Sequence, residues 1–279
     1  MIEIKDLSYK YVDREHATIH DINLTIPDGQ FVGITGAAGS GKSTLTYVFN
    51  GIVPHCYKGD FYGSVVIDGN DTVETSLTDI SRLVGSVCQD IDSQMVSSVV
   101  EDEMLYGLEN FGVPREEIEP RVAEALEAMG IADLRAASIA SLSGGQKQKV
   151  AVASILAMKP RVLVLDEPTA ELDPASSKAV FDLLKAYSRE HNITVIVVEQ
   201  KIALLCDYAD RLLIVKDGSI YLDGAPAEVL EHADDLLAEG INCPRSTSLI
   251  NNLRKSGIYG GRAVRNVEGA VRAVEEVLA

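Results

Sequence analysis

The stretch Gly36-Ala37-Ala38-Gly39-Ser40-Gly41-Lys42-Ser43-Thr44 decides how this chain is read. Gly36 to Ser43 fit the pattern G-x-x-x-x-G-K-[ST], whose meaning depends on what flanks it. Phe31 to Thr35 precede it as a short apolar strand, and Leu45, Val48 and Phe49 follow at helical spacing. In a strand, glycine loop and helix in that order, the glycines let backbone N–H groups turn into one concavity. The helix start adds positive partial charge, and Lys42 adds a full charge for the β and γ phosphates of a nucleotide. Ser43 is expected to place its hydroxyl on Mg²⁺ and Thr44 to make a further phosphate contact.

Such a cradle needs an acidic partner to hold the metal. Val162-Leu163-Val164-Leu165-Asp166-Glu167 supplies it, because four apolar strand residues deliver Asp166 to a strand end beside the loop. Asp166 is expected on Mg²⁺, directly or through water, and Glu167 beside the attacking water as general base.

Outward from these motifs, Ile2 and Ile4, then Ile22, Leu24 and Ile26, alternate as antiparallel strands, with a turn at Pro27-Asp28-Gly29. Val65 to Asp68 and Leu83 to Cys88 read as further strands, the second leading into Gln89. From about residue 98 to 158 the pattern is helical, clearest where Val122, Ala125, Leu126 and Met129 share a face. Val162 to Leu165 and Ile193 to Val198 are apolar at every position, which suits parallel strands covered on both sides. Ala175 to Glu190 between them reads as a helix, and Arg211 to Leu222 as a hairpin turning at Asp217-Gly218. Beyond Pro226, Glu228 to Glu239, Ser246 to Lys255 and Val267 to Leu278 read as helices. The expectation is an α/β cassette over residues 1–225, with a helical part at about 90–158, followed by a C-terminal helical appendage over 226–279.

The 279 residues carry a formal net charge of −17, which argues against nucleic acid as a partner and against adsorption to anionic lipid. No apolar run approaches the roughly 20 residues that span a bilayer. The N-terminus lacks the pattern of a signal peptide. The chain is therefore expected in the cytoplasm, with an integral partner for any role at a membrane. Cys56, Cys88, Cys206 and Cys243 lack metal-ligand spacing and read as reduced thiols. His16, His20, His191 and His232 read as solvated, in loops or on polar faces.

Leu142-Ser143-Gly144-Gly145-Gln146 resembles the signature sequence of the ABC ATPase family. The resemblance covers residues 1–225 and implies a P-loop NTPase fold of the ABC type: a RecA-like parallel-sheet core, an antiparallel β layer and an α-helical subdomain. It implies that Tyr11 is the aromatic that stacks on adenine. Gln89 is the Q-loop glutamine, acting in catalysis and on the metal, and Ala170-Glu171-Leu172-Asp173 is the D-loop. The signature residues Ser143, Gly144, Gly145 and Gln146, with Asp173, then contribute to a nucleotide held by a second subunit, so that two ATPs are sandwiched in a head-to-tail pair. The second subunit is either another copy or a paralogue.

Gln89 to Gln94, Val99 to Glu103 and Tyr106 to Asn110 resemble the energy-coupling-factor (ECF) group, which serves vitamin or metal-ion uptake. That likeness implies a transmembrane coupling protein and a substrate-binding membrane subunit as partners, and a place on the cytoplasmic face of the membrane. Asn50 to His55 with Lys58-Gly59-Asp60 look like ATPases of thiamine-precursor systems. The C-terminal helices are similar to the appendage through which ECF ATPases make added dimer contacts.

One position departs from the family. A histidine that contacts the γ phosphate is replaced by Gln200, which donates a hydrogen bond but cannot become a cation. With Glu167 and Lys42 intact, catalysis is expected, slowed at this site, left largely to a partner's site, or near the usual rate if the substitution is tolerated; Gln89 is the further catalytic residue that the resemblance implies. Two alternatives stay open. One is a regulatory, weakly hydrolysing subunit. The other is a non-transport ABC ATPase, disfavoured by the acidity and by the lack of a coiled-coil insertion or second cassette.

Overall fold

The structure is a computed structural model that describes residues 1–170 and 172–278. Strand β1 (Ile2–Tyr11) pairs antiparallel with β2 (Ile19–Ile26). Strand β3 (Phe31–Thr35) leads through the glycine loop into α1 (Lys42–Phe49) and a short α2 (Ile52–His55). Strand β4 (Gly59–Ile67) returns to β1 and carries β5 (Asn70–Asp71), giving a four-stranded antiparallel sheet of order β2-β1-β4-β5. Then come α3 (Leu77–Leu83), β6 (Val84–Val87), α4 (Ile91–Gln94), α5 (Val100–Asn110), α6 (Arg115–Ala128) and α7 (Gly144–Ala157). The second sheet is completed by β7 (Val162–Asp166), α8 (Pro174–His191), β8 (Thr194–Val198), α9 (Ile202–Tyr208), β9 (Arg211–Lys216) and β10 (Ser219–Gly224). Its order is β10-β9-β3-β8-β7-β6, parallel except for the β9–β10 hairpin.

The two fully apolar runs lie side by side as β7 and β8, and alternate residues enter different cores. Val162, Val164, Ile196 and Val198 face α1 and the antiparallel sheet, whereas Leu163, Leu165, Val195 and Val197 face α7, α8 and α9. Burial on both sides explains why neither strand alternates. Parallel pairing of β3 and β7 on either side of β8 puts their carboxyl ends on the same edge of the sheet, so the phosphate loop and Asp166 share that edge.

Several element boundaries differ from the sequence reading. Helix α6 begins at Arg115, not 121, and runs through Pro120, which lacks the N–H that would bond to the Glu116 carbonyl. Val122, Ala125, Leu126 and Met129 are buried as expected. Strand β4 begins at Gly59 because Phe61 and Tyr62 pair with Tyr9 and Ser8 of β1. The single helix expected over 228–239 is instead α10 (Pro226–Val229), a 3₁₀ turn (Leu230–His232) and α11 (Ala233–Ala238). Its buried residues Leu230, Ala233 and Leu236 recur every third position, a spacing that suits a tighter helix than 3.6 residues per turn. Helices α12 (Arg245–Lys255) and α13 (Val267–Leu278) pack together over Ile250, Ala270 and Ala273. His20 lies on β2, part exposed, its Nε2 bonded to the Asp217 carbonyl at 2.9 Å. Among the described residues no helix is long and apolar enough to cross a membrane.

Candidate active site

The phosphate loop is held open by its own backbone. Gly41 caps α1 with φ of 104° and makes no side-chain cap, leaving the first N–H groups of the helix without a capping side chain. A side chain at Gly41 would meet Ile19 at 2.8 Å and the Thr18 carbonyl at 3.0 Å. The Lys42 side chain curls over the loop, and its Nζ donates to the carbonyls of Gly36 (2.9 Å) and Ala37 (2.8 Å). Burial lowers the Lys42 pKa, opposed by the negative charges of Glu167 and Asp166, so those acids keep an ammonium in a site that would otherwise disfavour it. From outside, Gly218 N donates to the Ser40 carbonyl at 3.0 Å, so the β9–β10 turn backs the loop.

In front of this loop lies a cleft of about 770 Å³, lined by Gly39, Gly41, Lys42, Ser43, Thr44, Gly218 and residues 11–18 apart from Val12. Tyr11 ends β1 at its rim. Its hydroxyl lies 3.1 Å from Thr44 Oγ1, and its ring sits edge-on to Tyr9 and Tyr57. Sequence reasoning missed the contribution of Arg14 and His16 to this wall. The signal was present in the segment's position between two paired strands.

Asp166 stands at the end of β7. Burial raises its pKa and the Glu167 charge adds to that, while hydrogen bonding to Ser43 and the nearby Lys42 charge oppose it. Thr46 Oγ1 lies 3.5 Å from Asp166, but its proton is spent on the Ser43 carbonyl at 2.7 Å. Ser43, Asp166 and Gln89 offer hard oxygen donors, the type that Mg²⁺ selects. Among the described residues no cluster of three or more His, Cys, Asp or Glu is placed to hold a metal, so one carboxylate, one hydroxyl and one amide oxygen would rely on phosphate oxygens to complete the shell.

Glu167 adopts φ of 49°, a left-handed conformation that costs a non-glycine residue about 1 kcal/mol or more. Its N–H donates to Val198 O at 2.9 Å, extending the β7–β8 pairing by one bond while the side chain leaves the strand direction. The carboxylate is gripped from two sides: Gln200 Nε2 donates to Oε1 at 2.7 Å and Gln89 Nε2 to Oε2 at 3.2 Å. The structure thus gathers Lys42, Ser43, Asp166, Glu167, Gln89 and Gln200 at the carboxyl edge of one sheet.

Of the remaining expected residues, Gly144 lines a separate cavity together with Gln89, Glu167 and Ala170. Ser143 caps α7, its Oγ accepting from Gln146 N at 3.3 Å while Gln146 Oε1 accepts from Ser143 N at 2.9 Å. Gly144 and Gly145 form the first turn of α7, and a Cβ on Gly145 would meet Leu172 at 3.3 Å. None of the four lines the cleft in front of Lys42. Asp173 caps α8 by accepting from Ala175 N (2.9 Å) and Ser176 N (3.1 Å), and hydrogen bonding to Ser176 holds its pKa down. Glu171, between them, lies outside the described residues. Sequence reasoning also missed Thr169, Glu199 and Lys201, whose only signal was polarity immediately after apolar strands.

A phosphate loop and an Asp-Glu strand end on one sheet edge, with a capped glycine turn opening a separate helix, define a nucleotide hydrolase. A family model described as ABC transporter matches residues 19–170, and the chain belongs to that family. It is 40% identical over 262 residues to the energy-coupling factor transporter ATP-binding protein EcfA1 of Caldanaerobacter subterraneus subsp. tengcongensis, covering 92% of each chain. Its structure is similar to that of cbiO1 from Clostridium perfringens, described as part of the ABC transporter complex cbiONQ. There the TM-score is 0.77 and the identity 34%, over 90% of this chain and 98% of that one. It is also similar to the dimeric ATP-binding cassette MJ0796 in a post-hydrolysis state bound to ADP and Pi, with a TM-score of 0.70 and 26% identity over 81% and 99% of the chains. The protein is an ABC ATPase of the ECF type that uses ATP and Mg²⁺.

Proposed function

We propose that this chain is the motor of an ECF-type uptake transporter, pairing with a second ATPase subunit and docking on a transmembrane coupling protein that carries a substrate-binding subunit for a vitamin or metal ion. The observation that carries the reading is the separation of two half-sites. Lys42 and the loop amides grip a triphosphate, while the Ser143 turn lies outside that cleft and needs a partner's phosphate to face. Closing the two surfaces over ATP is the differential contact that lets nucleotide shift an open-to-closed equilibrium.

Within the closed site, Lys42 leaves the carbonyls of Gly36 and Ala37 for the β and γ phosphates. Ser43, Asp166 and Gln89 would hold Mg²⁺, which would supply positive charge against the charge that develops on the transferring group. Glu167 accepts a proton from the attacking water. Gln200 and Gln89 hold its carboxylate in place until the water arrives. Gln200 donates one neutral hydrogen bond where a histidine could supply a cation, so hydrolysis here is slower than a histidine would make it. Tyr11 stacks on the base. Asp173 contributes to the nucleotide of the other subunit, and α12 and α13 add contacts across the pair.

The membrane partners are tested by affinity purification from detergent-solubilised membranes with identification of the co-purifying proteins. A hydrophobic coupling subunit together with a small substrate-binding membrane protein supports the reading, and a wholly soluble set of partners overturns it. The pairing is tested by crosslinking Ala38→Cys, on the exposed face of the phosphate loop, to Ser143→Cys with ATP in a Glu167→Gln background, which must join two different chains.

A further inference from the structure

We propose that Lys201 is a positioning residue for hydrolysis, locking the loop that presents Gln200 to the segment that follows Glu167. The inference rests on the reading of Glu167 and Gln200 given above.

Two loops leave adjacent parallel strands here. One is 167–173 after β7 and the other is 199–201 after β8. Glu199 is only 1% exposed, and such a carboxylate persists when donors surround it. Its Oε2 accepts from the Thr169 hydroxyl, reaching across to the first loop. Its Oε1 accepts from Gln200 N at 2.8 Å and from Lys201 N at 3.1 Å, which fixes the backbone on which Gln200 stands.

Lys201 completes the tie from the opposite direction. Its Nζ donates to Thr169 O at 2.5 Å, Leu172 O at 3.0 Å and Ser177 Oγ at 3.1 Å. An ammonium has three protons, and here all three have acceptors on the other loop or on the first turn of α8. The cation next to Gln200 is thus committed to the neighbouring loop and does not substitute for the histidine charge that the family places one residue earlier. Its effect on the chemistry passes through Gln200. A single 2.7 Å bond from a neutral amide to Glu167 has little tolerance for displacement, since a shift of about 1 Å at a reacting group can cost on the order of a hundredfold in rate.

The experiment measures steady-state ATP hydrolysis, ATP binding and thermal unfolding of the full chain for Lys201→Met in the wild-type and Gln200→Ala backgrounds, with Lys201→Arg as the conservative variant. The expected result is a roughly tenfold loss of kcat for Lys201→Met with KM for ATP changed less than about twofold. Lys201→Arg should recover part of that loss, and Lys201→Met should add less than about twofold once Gln200 is gone. The same factor in both backgrounds, or a KM rise at constant kcat, overturns the proposal. Should Lys201→Met fail to fold, Ser177→Ala removes one of the three acceptors and must show a smaller kcat loss with the same dependence on Gln200. If Glu167→Gln or Gln200→Ala leaves turnover intact, the reading of the site itself fails. If those two lose turnover and Lys201→Met does not, only the tie is wrong.

Discussion

Gln200 Nε2 donates to Glu167 Oε1 at 2.7 Å, so the residue that stands where the family has a histidine points at the proposed general base. A hydrogen bond to a charged acceptor contributes about 1.5–3 kcal/mol. If half or more of that is realised as correct orientation in the transition state, Gln200→Ala lowers kcat by roughly tenfold with little change in ATP affinity. Gln200→His restores a group that can carry positive charge toward the γ phosphate and is expected to raise turnover several-fold. Phosphate-release assays on the three proteins decide it, and a histidine variant no faster than wild type removes the idea that glutamine slows this site.

Asp166 gives a prediction in which stability and activity move in opposite directions. Burial and the Glu167 charge raise its pKa above the ordinary 3.8, so ionising it in the folded chain costs more than in the unfolded one. The sign follows from linkage. The folded state binds this proton more readily, so the group disfavours folding once it is ionised, and the penalty fades as pH falls through the raised pKa. Asp166→Asn, which carries no charge, should raise the unfolding temperature of the nucleotide-free chain at neutral pH by a few degrees, as a shift of about 1 kcal/mol would do. It should also abolish Mg²⁺-dependent hydrolysis. In the wild type, Mg²⁺ affinity should begin to fall with acidification at a higher pH than for an ordinary aspartate. Scanning calorimetry and Mg²⁺ titrations across the acidic range test both halves.

Much of this site could be read from residue order alone, because its parts are short and each carries a local signal. Gly36 to Ser43 sit between a strand and a helix, and Val162 to Glu167 end an apolar run in two acids. The fully apolar β7 and β8 announced their burial in the same way. What the sequence did not disclose were contacts between distant segments. The Thr169–Glu199 and Lys201–Leu172 bonds join residues about thirty apart, and Gly218 reaches Ser40 from the far end of the cassette. Helix α3 was overlooked although Ser76 caps it and Asp79 stands at its third position, a start signal of the ordinary kind. The break between α10 and α11 depends on which side chains the hairpin and α9 can receive, which no periodicity of one segment reveals.

The turn at Asp217-Gly218 is predicted to matter to nucleotide affinity and not to the chemical step. Gly218 has φ of 84°, and a Cβ there would lie 2.6 Å from the Thr18 carbonyl and 3.2 Å from His20. Gly218→Ala therefore adds left-handed strain of about 1 kcal/mol and a clash with Thr18 that disturbs the turn whose N–H bonds to Ser40. Loosening the back of the phosphate loop should raise KM for ATP by roughly fivefold or more while kcat at saturation stays near wild type. Steady-state kinetics over a wide ATP range separates this from a defect at Glu167, which would lower kcat and leave KM almost unchanged.

Ser143 allows the helix cap and the phosphate contact to be separated. Its Oγ accepts from Gln146 N within a reciprocal capping box, so loss of the hydroxyl in Ser143→Ala costs about 1 kcal/mol of stability as well as any contact to the opposing nucleotide. Aspartate caps as well as serine and also suits the positive end of a helix, so Ser143→Asp should keep the unfolding temperature of the isolated chain at or above wild type. The same carboxylate would face the γ phosphate of a partner's ATP, and two like charges brought together away from water repel strongly. ATP binding to the P-loop of Ser143→Asp should therefore be normal by equilibrium titration, while ATP-induced pairing in a Glu167→Gln background should disappear from size-exclusion profiles. A Ser143→Asp chain that still pairs on ATP would mean that this turn does not meet the nucleotide, and the two half-sites would have to be assembled some other way.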